Sequence, residues 1–282
     1  MSLLRINNNI SALNTQRNLE VNSFNLGKSL QKLSSGFRIN TASDGPADLI
    51  ISEGLRGQIS GLQAAIRNTQ EAANYLGIAE GALKEVSDLL VSARALAVHA
   101  ANEGVVTTEQ VAADQEELDN ILDTIQRIND VTRFAGQDVF KVAASATRTF
   151  HIGEGGTAND QEAFVFSNIS LTNLALSNLY GGGTAALSDD AAAAITTIST
   201  ALGDVAELRG DIGAFIKNTL QTNINSLSVT LENVTATESF IRDTNMAEET
   251  SNYTKNQILV QAGVSVLAQS NVASQSVLQL LG

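Results

Sequence analysis

Apolar residues recur three and four positions apart along both ends of the chain, and this spacing is typical of one face of an α-helix. The first such stripe predicts a helix that ends near Gly36. A second helix should follow, with Ser43 or Asp44 as its N-cap and Pro46 in its first turn. The apolar positions of the first helix are Leu3, Ile6, Ile10, Leu13, Leu26, Leu30 and Leu33.

The second predicted helix carries an apolar seam over 62–97, which extends through about five heptads and indicates one of the longest helices of the chain. Turn-forming residues at 104–108 interrupt the pattern, and a shorter seam over 118–128 predicts a third helix. Because the connection between these two helices is short, we expect them to pack antiparallel.

The middle of the chain follows a different period. The strings TRTFHIG and EAFVFSNIS place aromatic and β-branched residues near alternation, and the turn at Gly153–Gly156 separates them, so a β-hairpin is predicted. Helical spacing returns at Ile198 and continues to Ile241. The predicted fold is therefore mainly α, a long antiparallel helical coiled-coil rod built from both chain termini, with a small β-hairpin insert.

The C-terminal stretch 256–282 contains no Asp, Glu, Lys or Arg, although the formal net charge of the chain is -13. Three alternatives are open: a membrane span, an unstructured C-terminus, or a helix completed by association with other helices. Amides and hydroxyls spread through the stretch argue against a span, because each would be costly in hydrocarbon unless paired. The high apolar content argues against permanent disorder.

Association is the alternative that we favour, with the first helix and with neighbouring molecules as partners. Because an isolated helix is marginal, the chain ends should be mostly disordered in the free monomer and should order on assembly. The residues of this stretch that we assign to the interface are Ile258, Leu259, Val264, Val266, Leu267, Val277 and Leu278.

Composition and motifs exclude several classes of function. Acidic residues outnumber basic ones by 30 to 17, which disfavours nucleic acid as a partner. With no cysteine, a metal site would need both His99 and His151 together with carboxylates, so no metal or other cofactor is expected. No phosphate-binding loop, catalytic triad or zinc-protease motif is present, so the chain should not be an enzyme. The N-terminus also lacks the pattern of a secretory signal peptide.

Several long strings are similar to the terminal regions of bacterial flagellins, in order and in spacing. The most specific are KLSSGFRINTASDGPADL at 32–49 and QILVQAGVSVLAQSN at 257–271. The strings LRINNNISALNTQRNL, TRFAGQDVF, AELRGDIGAF and VLQLLG extend the resemblance to about 230 residues. Gly45, Pro46 and Asp48 depart from the acidic and small residues usual in the family, and Ala135 stands where asparagine is frequent.

This resemblance implies a structural subunit that polymerises with itself into the bacterial flagellar filament for swimming motility. It implies export of the unfolded chain by the flagellum's own secretion apparatus, with an export chaperone, and contacts with filament cap and hook-junction proteins. The filament would be extracellular, and a periplasmic flagellum stays open. A hook-filament junction protein of the same family and a secreted coiled-coil adhesin or effector are the alternatives.

The resemblance also implies a domain organisation. Residues 1–40 and 244–282 would form the filament-core coiled coil that lines a central channel. Residues 41–141 and 196–243 would supply the helices of a rod domain, and 142–195 would be a short variable β-hairpin region.

The string SARALAV at 92–98 resembles the site through which many flagellins bind Toll-like receptor 5. Arg94 and Leu96 match that motif, and Glu117 falls at a matching place on the next helix. Ser92 and Ala95 replace residues that are usually charged. Packing of Leu96 and solvation of Arg94 explain the same residues without a receptor, so both interpretations are kept.

Overall fold

The computed structural model describes residues 9–141, 146–166, 169–181, 183 and 185–279, which fall into two units. The terminal unit joins 1–59 with 233–282, and the central unit comprises 60–232. The elements are α1 (Ile10–Ser35), α2 (Pro46–Ala100), α3 (Thr108–Val131), β1 (Arg133–Phe134), β2 (Gln137–Asp138), β3 (Ala146–His151), β4 (Gln161–Phe166), α4 (Leu187–Ala214), α5 (Gln221–Arg242) and α6 (Met246–Gln279). The predicted fold, mainly α with a small hairpin, is confirmed.

In the terminal unit, α1 and α6 pack against each other along an antiparallel seam. Near one end the Asn9 Nδ2 donates to the Ser270 carbonyl oxygen (3.0 Å), and near the other Lys32 Nζ lies 3.7 Å from Glu249 Oε2. The least exposed positions of each helix recur at steps of three and four, as in a coiled coil. This inner seam consists of Ala12, Thr15, Leu19, Asn22, Leu26, Ser29 and Leu33 on α1 and Glu249, Tyr253, Asn256, Val260, Gly263, Leu267 and Ser270 on α6.

The loop between α1 and α2 is organised by Asp44. α1 ends at Gly36, whose φ of 76° is left-handed. The Asp44 carboxylate accepts hydrogen bonds from Lys28 Nζ (2.8 Å), the Thr41 hydroxyl (2.8 Å) and the Thr41 N–H (3.0 Å), and the Lys28 bond holds the pKa of Asp44 well below its usual range. Asp44 therefore ties the loop to α1. The prediction that Ser43 or Asp44 caps α2 is wrong, because α2 begins at Pro46, directly after Gly45. The Ser43 hydroxyl pairs with the Thr41 hydroxyl, and the Asp44 carboxylate bonds to Lys28 and Thr41.

The central unit is built on one hydrophobic core to which α2, α3, α4 and the hairpin contribute. The predicted seam of α2 is confirmed, and α3 begins earlier than its apolar residues indicate, at a capping box formed by Thr107 and Gln110. Burial of each large apolar side chain stabilises the fold by about 1.5–3 kcal/mol. Large residues with no exposed surface include Leu76, Leu83, Leu90, Leu118, Leu122, Ile125, Ile198 and Ile212.

The predicted hairpin is also confirmed, with β3 and β4 paired antiparallel. Phe164 and Phe166 alternate with exposed residues along β4 and enter the core. The Phe166 ring meets Tyr75 of α2 edge to face, with 5.5 Å between ring centroids. The turn between the strands closes through Asp160, whose carboxylate accepts from the Thr157 N–H (2.9 Å). The hairpin is therefore packed onto α2 by aromatic contacts.

A π-helical segment, Phe215–Leu220, separates α4 from α5. Buried residues of α4 recur every seven positions up to Ile212, and the next member of the pattern is Leu220, eight positions later. One π-helical turn accommodates one residue more than an α-helical turn, and the Gln221 N–H accordingly donates to the Ile216 carbonyl. The π-helix thus absorbs the extra residue and keeps the apolar face of the helix turned inward.

The turn between β1 and β2 holds Ala135 in a conformation that alanine disfavours. Ala135 and Gly136 have φ values of 50° and 83°, so both central residues of this two-residue loop are left-handed. Such a loop is a type I′ turn, which prefers Asn-Gly because a Cβ in the left-handed region is strained. Alanine in place of the asparagine that is frequent in the flagellins this sequence resembles therefore carries an energetic cost.

Replacing Ala135 should relieve this cost. We expect Ala135→Asn to raise the free energy of unfolding of the central unit by about 1 kcal/mol. Chemical denaturation followed by circular dichroism measures the free energy of unfolding. Gly136→Ala is the comparison variant and should lower stability, because it adds a Cβ at a left-handed position. A loss of stability in Ala135→Asn would contradict the assignment of the turn.

Candidate assembly surface

Apolar side chains of α1 remain exposed on the faces that do not contact α6. Ile10, Leu13 and Leu30, which the sequence assigns to the interface, are 58%, 62% and 56% exposed. Val21 and Phe24 add to the same exposed surface. Single exposed apolar residues are ordinary, but a series of this kind along one helix marks a surface for association.

The exposed apolar residues of α6 form the matching surface on the C-terminal helix. They lie between residues of the inner seam, and no charged side chain accompanies them from Asn256 onward. The side chain of Leu259 is 40% exposed, and each of the other four is more than 50% exposed. These residues are Ile258, Leu259, Val264, Val266 and Val272. We call the exposed apolar residues of α1 and α6 together the outer faces.

The inner seam differs from what the sequence pattern predicts. Leu26, Leu33 and Leu267 do lie in it, half-buried, but most of its other members are small or polar. An added Cβ at Gly263 would lie only 3.2 Å from Leu19 Cδ1, so this glycine allows the two helices to approach closely. Leu3 and Ile6, and the side chains of Val277 and Leu278, lie outside the described residues.

The terminal unit has little apolar interior. In its described part, Ile39 is the one apolar residue that is fully buried, whereas the core of the central unit holds many. Side chains that would form a core in an ordinary protein are therefore turned outward. Nowhere in the described chain is a helix long and apolar enough to cross a membrane.

The residues that resemble a receptor site lie on two helices of the central unit. Arg94 on α2 and Glu117 on α3 are exposed, and neither forms an ion pair with another described residue. Leu96 is half-buried and packs against the core. The surface residues are thus free to meet a partner, and Leu96 also has a structural role.

The histidines of the chain do not assemble a metal centre in the described part. His99 Nδ1 lies 2.6 Å from Asp114 Oδ2 and links α2 to α3. His151 ends β3, opposite Gln161. The described residues contain no cluster of three or more His, Asp or Glu side chains that could hold a metal ion.

Gln115 is a buried polar residue whose structural role the sequence does not predict. Gln115 of α3 is 8% exposed, and its Nε2 donates to the Leu179 carbonyl (2.8 Å) and to Asp119 Oδ1 (2.7 Å), while its Oε1 accepts from the Leu187 N–H (2.8 Å). It therefore fixes the backbone on both sides of the glycine-rich joint before α4. A glutamine among charged residues gives no sequence signal of such a role.

These features define a class of protein: a helical structural subunit whose two chain ends pair and carry exposed apolar outer faces. Residues 6–145 match the bacterial flagellin N-terminal helical region, and 195–281 match the bacterial flagellin C-terminal helical region. The chain belongs to the bacterial flagellin family. It is a structural subunit of a flagellar filament, a homopolymer that serves motility.

Relatives align over nearly the whole chain. The chain is 37% identical to the flagellar filament 30.7 kDa core protein of Treponema maltophilum, over 98% of this chain and 99% of the relative. It is 37% identical to flagellin of Bacillus subtilis, over 99% and 100%, and 36% identical to flagellin FlaB1 of Treponema pallidum, over 98% and 99%. All three are similar in length to this chain, so it resembles compact flagellins.

Proposed function

We propose that the outer faces of α1 and α6 form the interface between subunits in the core of the filament. The observation that carries this proposal is the exposure of large apolar side chains along two paired helices, on a C-terminal stretch without charge. Of the core residues expected from the sequence, the outer faces carry Ile10, Leu13, Leu30, Ile258, Leu259, Val264 and Val266. Leu26, Leu33 and Leu267 would complete the filament core from the inner seam, and Leu3, Ile6, Val277 and Leu278 are proposed from the sequence alone.

The energetics favour assembly over any other use of these faces. Burying each Ile, Leu or Val side chain is worth about 1.5–3 kcal/mol, and the series on α1 and α6 adds up over every subunit of a polymer. The neutral amides between them can pair without the cost of removing charges from water. Like charges would otherwise be repeated at each subunit contact, which the uncharged stretch avoids.

The small number of buried apolar side chains in the terminal unit supports export in an unfolded state. Few apolar side chains of its described residues are buried, so unfolding this unit costs little free energy. Export through the flagellar secretion apparatus, with an export chaperone, would be followed by ordering against neighbouring subunits. Filament cap and hook-junction proteins are the further proposed partners, and the filament would be extracellular, with a periplasmic flagellum as the alternative.

The family's domain organisation is proposed for this chain as well, with borders at 40/41, 141/142, 195/196 and 243/244. No catalytic role is proposed for any residue.

Seeded polymerisation of the purified chain tests this function. Short filament fragments are mixed with monomer, and growth is followed by light scattering and electron microscopy. Long helical filaments are the expected result. Short collars or no polymer would instead favour a junction protein or an adhesin.

Receptor binding is proposed for the surface formed by Arg94, Leu96 and Glu117. Arg94 and Glu117 are exposed, so a partner could contact both without unfolding the helices. Purified monomer should activate a cell reporter that depends on Toll-like receptor 5, and Arg94→Ala should lower the response at least severalfold, because losing a charged interface contact costs a few kcal/mol. Lys84→Ala, an exposed charge on the same helix, is the matched control. No response from the unsubstituted monomer would contradict receptor binding.

A further inference from the structure

The inner seam between α1 and α6 has the regular spacing of a coiled coil but little apolar content. Its residues recur at alternating steps of three and four on both helices, as the a and d positions of heptads do. The Leu19 side chain lies against Gly263, and Lys32 lies near Glu249 toward one end of the pair. Because the two helices run antiparallel, these contacts fix which residues of the seam face each other.

No layer of the described inner seam brings two large apolar side chains together. Counted from the contact between Leu19 and Gly263, Asn22 faces Val260, and in the next layer Leu26 faces Asn256. Each leucine or valine of the seam therefore meets a small or polar residue. The other layers pair Ala12 with Ser270, Thr15 with Leu267, Leu19 with Gly263, Ser29 with Tyr253 and Leu33 with Glu249.

Asn22 and Asn256 occupy neighbouring layers near the middle of the seam. Both residues are half-buried, and neither side-chain amide has a hydrogen-bond partner among the described residues. Pairing of the helices therefore removes part of the water around each amide without replacing its hydrogen bonds, which is unfavourable. An asparagine at a seam position of a coiled coil is known to lower stability while it favours one register.

We infer that Asn22 and Asn256 hold the α1–α6 pair below the stability that it needs in a free subunit, so that the pair forms fully only when neighbouring copies cover the outer faces. This role rests on the proposed function, which supplies those copies. Burial of the outer faces is available only in the polymer, and there it shifts the equilibrium toward the paired helices. The same chain is thereby unpaired during export and paired in the filament.

Asn22→Leu with Asn256→Leu, made together in the full chain, tests this role. Each leucine removes an amide from the seam and adds an aliphatic contact, with Val260 or with Leu26. In the monomer, the protection of α1 and α6 amides against hydrogen exchange should rise about thirtyfold or more. The critical concentration for seeded polymerisation should fall by up to the same factor, because a larger fraction of the subunits is ready to bind. Mass spectrometry of deuterium uptake and light scattering measure the two quantities.

Asn18→Leu with Asn271→Leu is the matched control for amide protection. Both positions are exposed and lie outside the inner seam. The control therefore adds the same helix propensity as the seam variant, but no aliphatic contact between α1 and α6. Its amide protection should rise no more than about fivefold.

Three results would overturn the role assigned to the two asparagines. The first is equal protection in the seam variant and the control, and the second is full protection of α1 and α6 in the unsubstituted monomer. The third is a higher critical concentration for the seam variant, because the asparagines would then serve contacts with neighbouring subunits. Failure of the unsubstituted chain to polymerise would contradict the proposed function itself, whereas hydrogen exchange of the monomer would still test the seam.

Discussion

Ile258→Asp and Val264→Asp, each alone, should abolish polymerisation at concentrations where the unsubstituted chain forms filaments. Ile258 and Val264 are 59% and 53% exposed in the single chain, so a carboxylate there remains hydrated and monomer stability should change by no more than about 0.5 kcal/mol. In the filament the same carboxylate would be buried without a partner, at a cost of about 3–5 kcal/mol per subunit. The critical concentration should therefore rise more than about hundredfold.

Light scattering of seeded samples gives the critical concentration, and circular dichroism of the monomer gives its stability. Val264→Thr is the matched control, since threonine has nearly the shape of valine and adds a hydroxyl but no charge. It should polymerise less well than the unsubstituted chain and far better than Val264→Asp. Filaments that grow from either aspartate variant at the usual concentration would contradict the proposed role of the outer faces.

Gln115→Ala should destabilise the central unit by about 3 kcal/mol. The substitution removes three hydrogen bonds at once and leaves the buried Leu179 carbonyl and Leu187 N–H without partners. Each buried polar backbone group left unpaired costs about 1–3 kcal/mol. Gln115→Glu should also be destabilising, because it loses the donor to Leu179 and places a second carboxylate beside Asp119.

Denaturation of the full chain, followed by circular dichroism, measures this loss. Glu116→Ala, at an exposed neighbouring position of α3, is the control and should change stability by about 0.5 kcal/mol at most. If the two alanine variants are equally stable, Gln115 does not hold the joint in solution.

The helices and the hairpin of the central unit follow from the sequence because one physical demand, burial in a single core, sets their pattern. The seam over 62–97 and the alternation around Phe164 and Phe166 each satisfy that demand and each predict the observed element. The π-helix is harder to foresee. The shift of the pattern between Ile212 and Leu220 is visible in the sequence, but a loop or a kink could absorb an extra residue as well.

In the terminal unit, the apolar pattern does not identify the residues that pair α1 with α6. Apolar residues lie on several faces of its helices, so they do not mark the one face of α1 that meets α6. Ile10 and Leu13 point outward, whereas Asn22 and Ser29 lie in the inner seam. The pattern therefore predicts that the chain ends pair but not which residues pair them.

The roles of Asp44 and Gln115 also could not be predicted, because they depend on polar contacts that form only in the folded chain. Aspartate is a residue type that favours the N-cap, but Asp44 lies two residues before Pro46, and Lys28 and Thr41 bind its carboxylate. Only the fold brings Lys28 near. Gln115 likewise bonds to backbone groups far along the chain. Interactions between distant residues of this kind leave no periodic signal.

Electron cryomicroscopy of the assembled polymer tests the central claim most directly. The outer faces of α1 and α6 should contact other subunits, with Ile258 and Val264 within about 4.5 Å of apolar atoms from neighbouring copies. The inner seam should persist within each subunit. A polymer in which these side chains face solvent would contradict the proposal that they form the core of the filament.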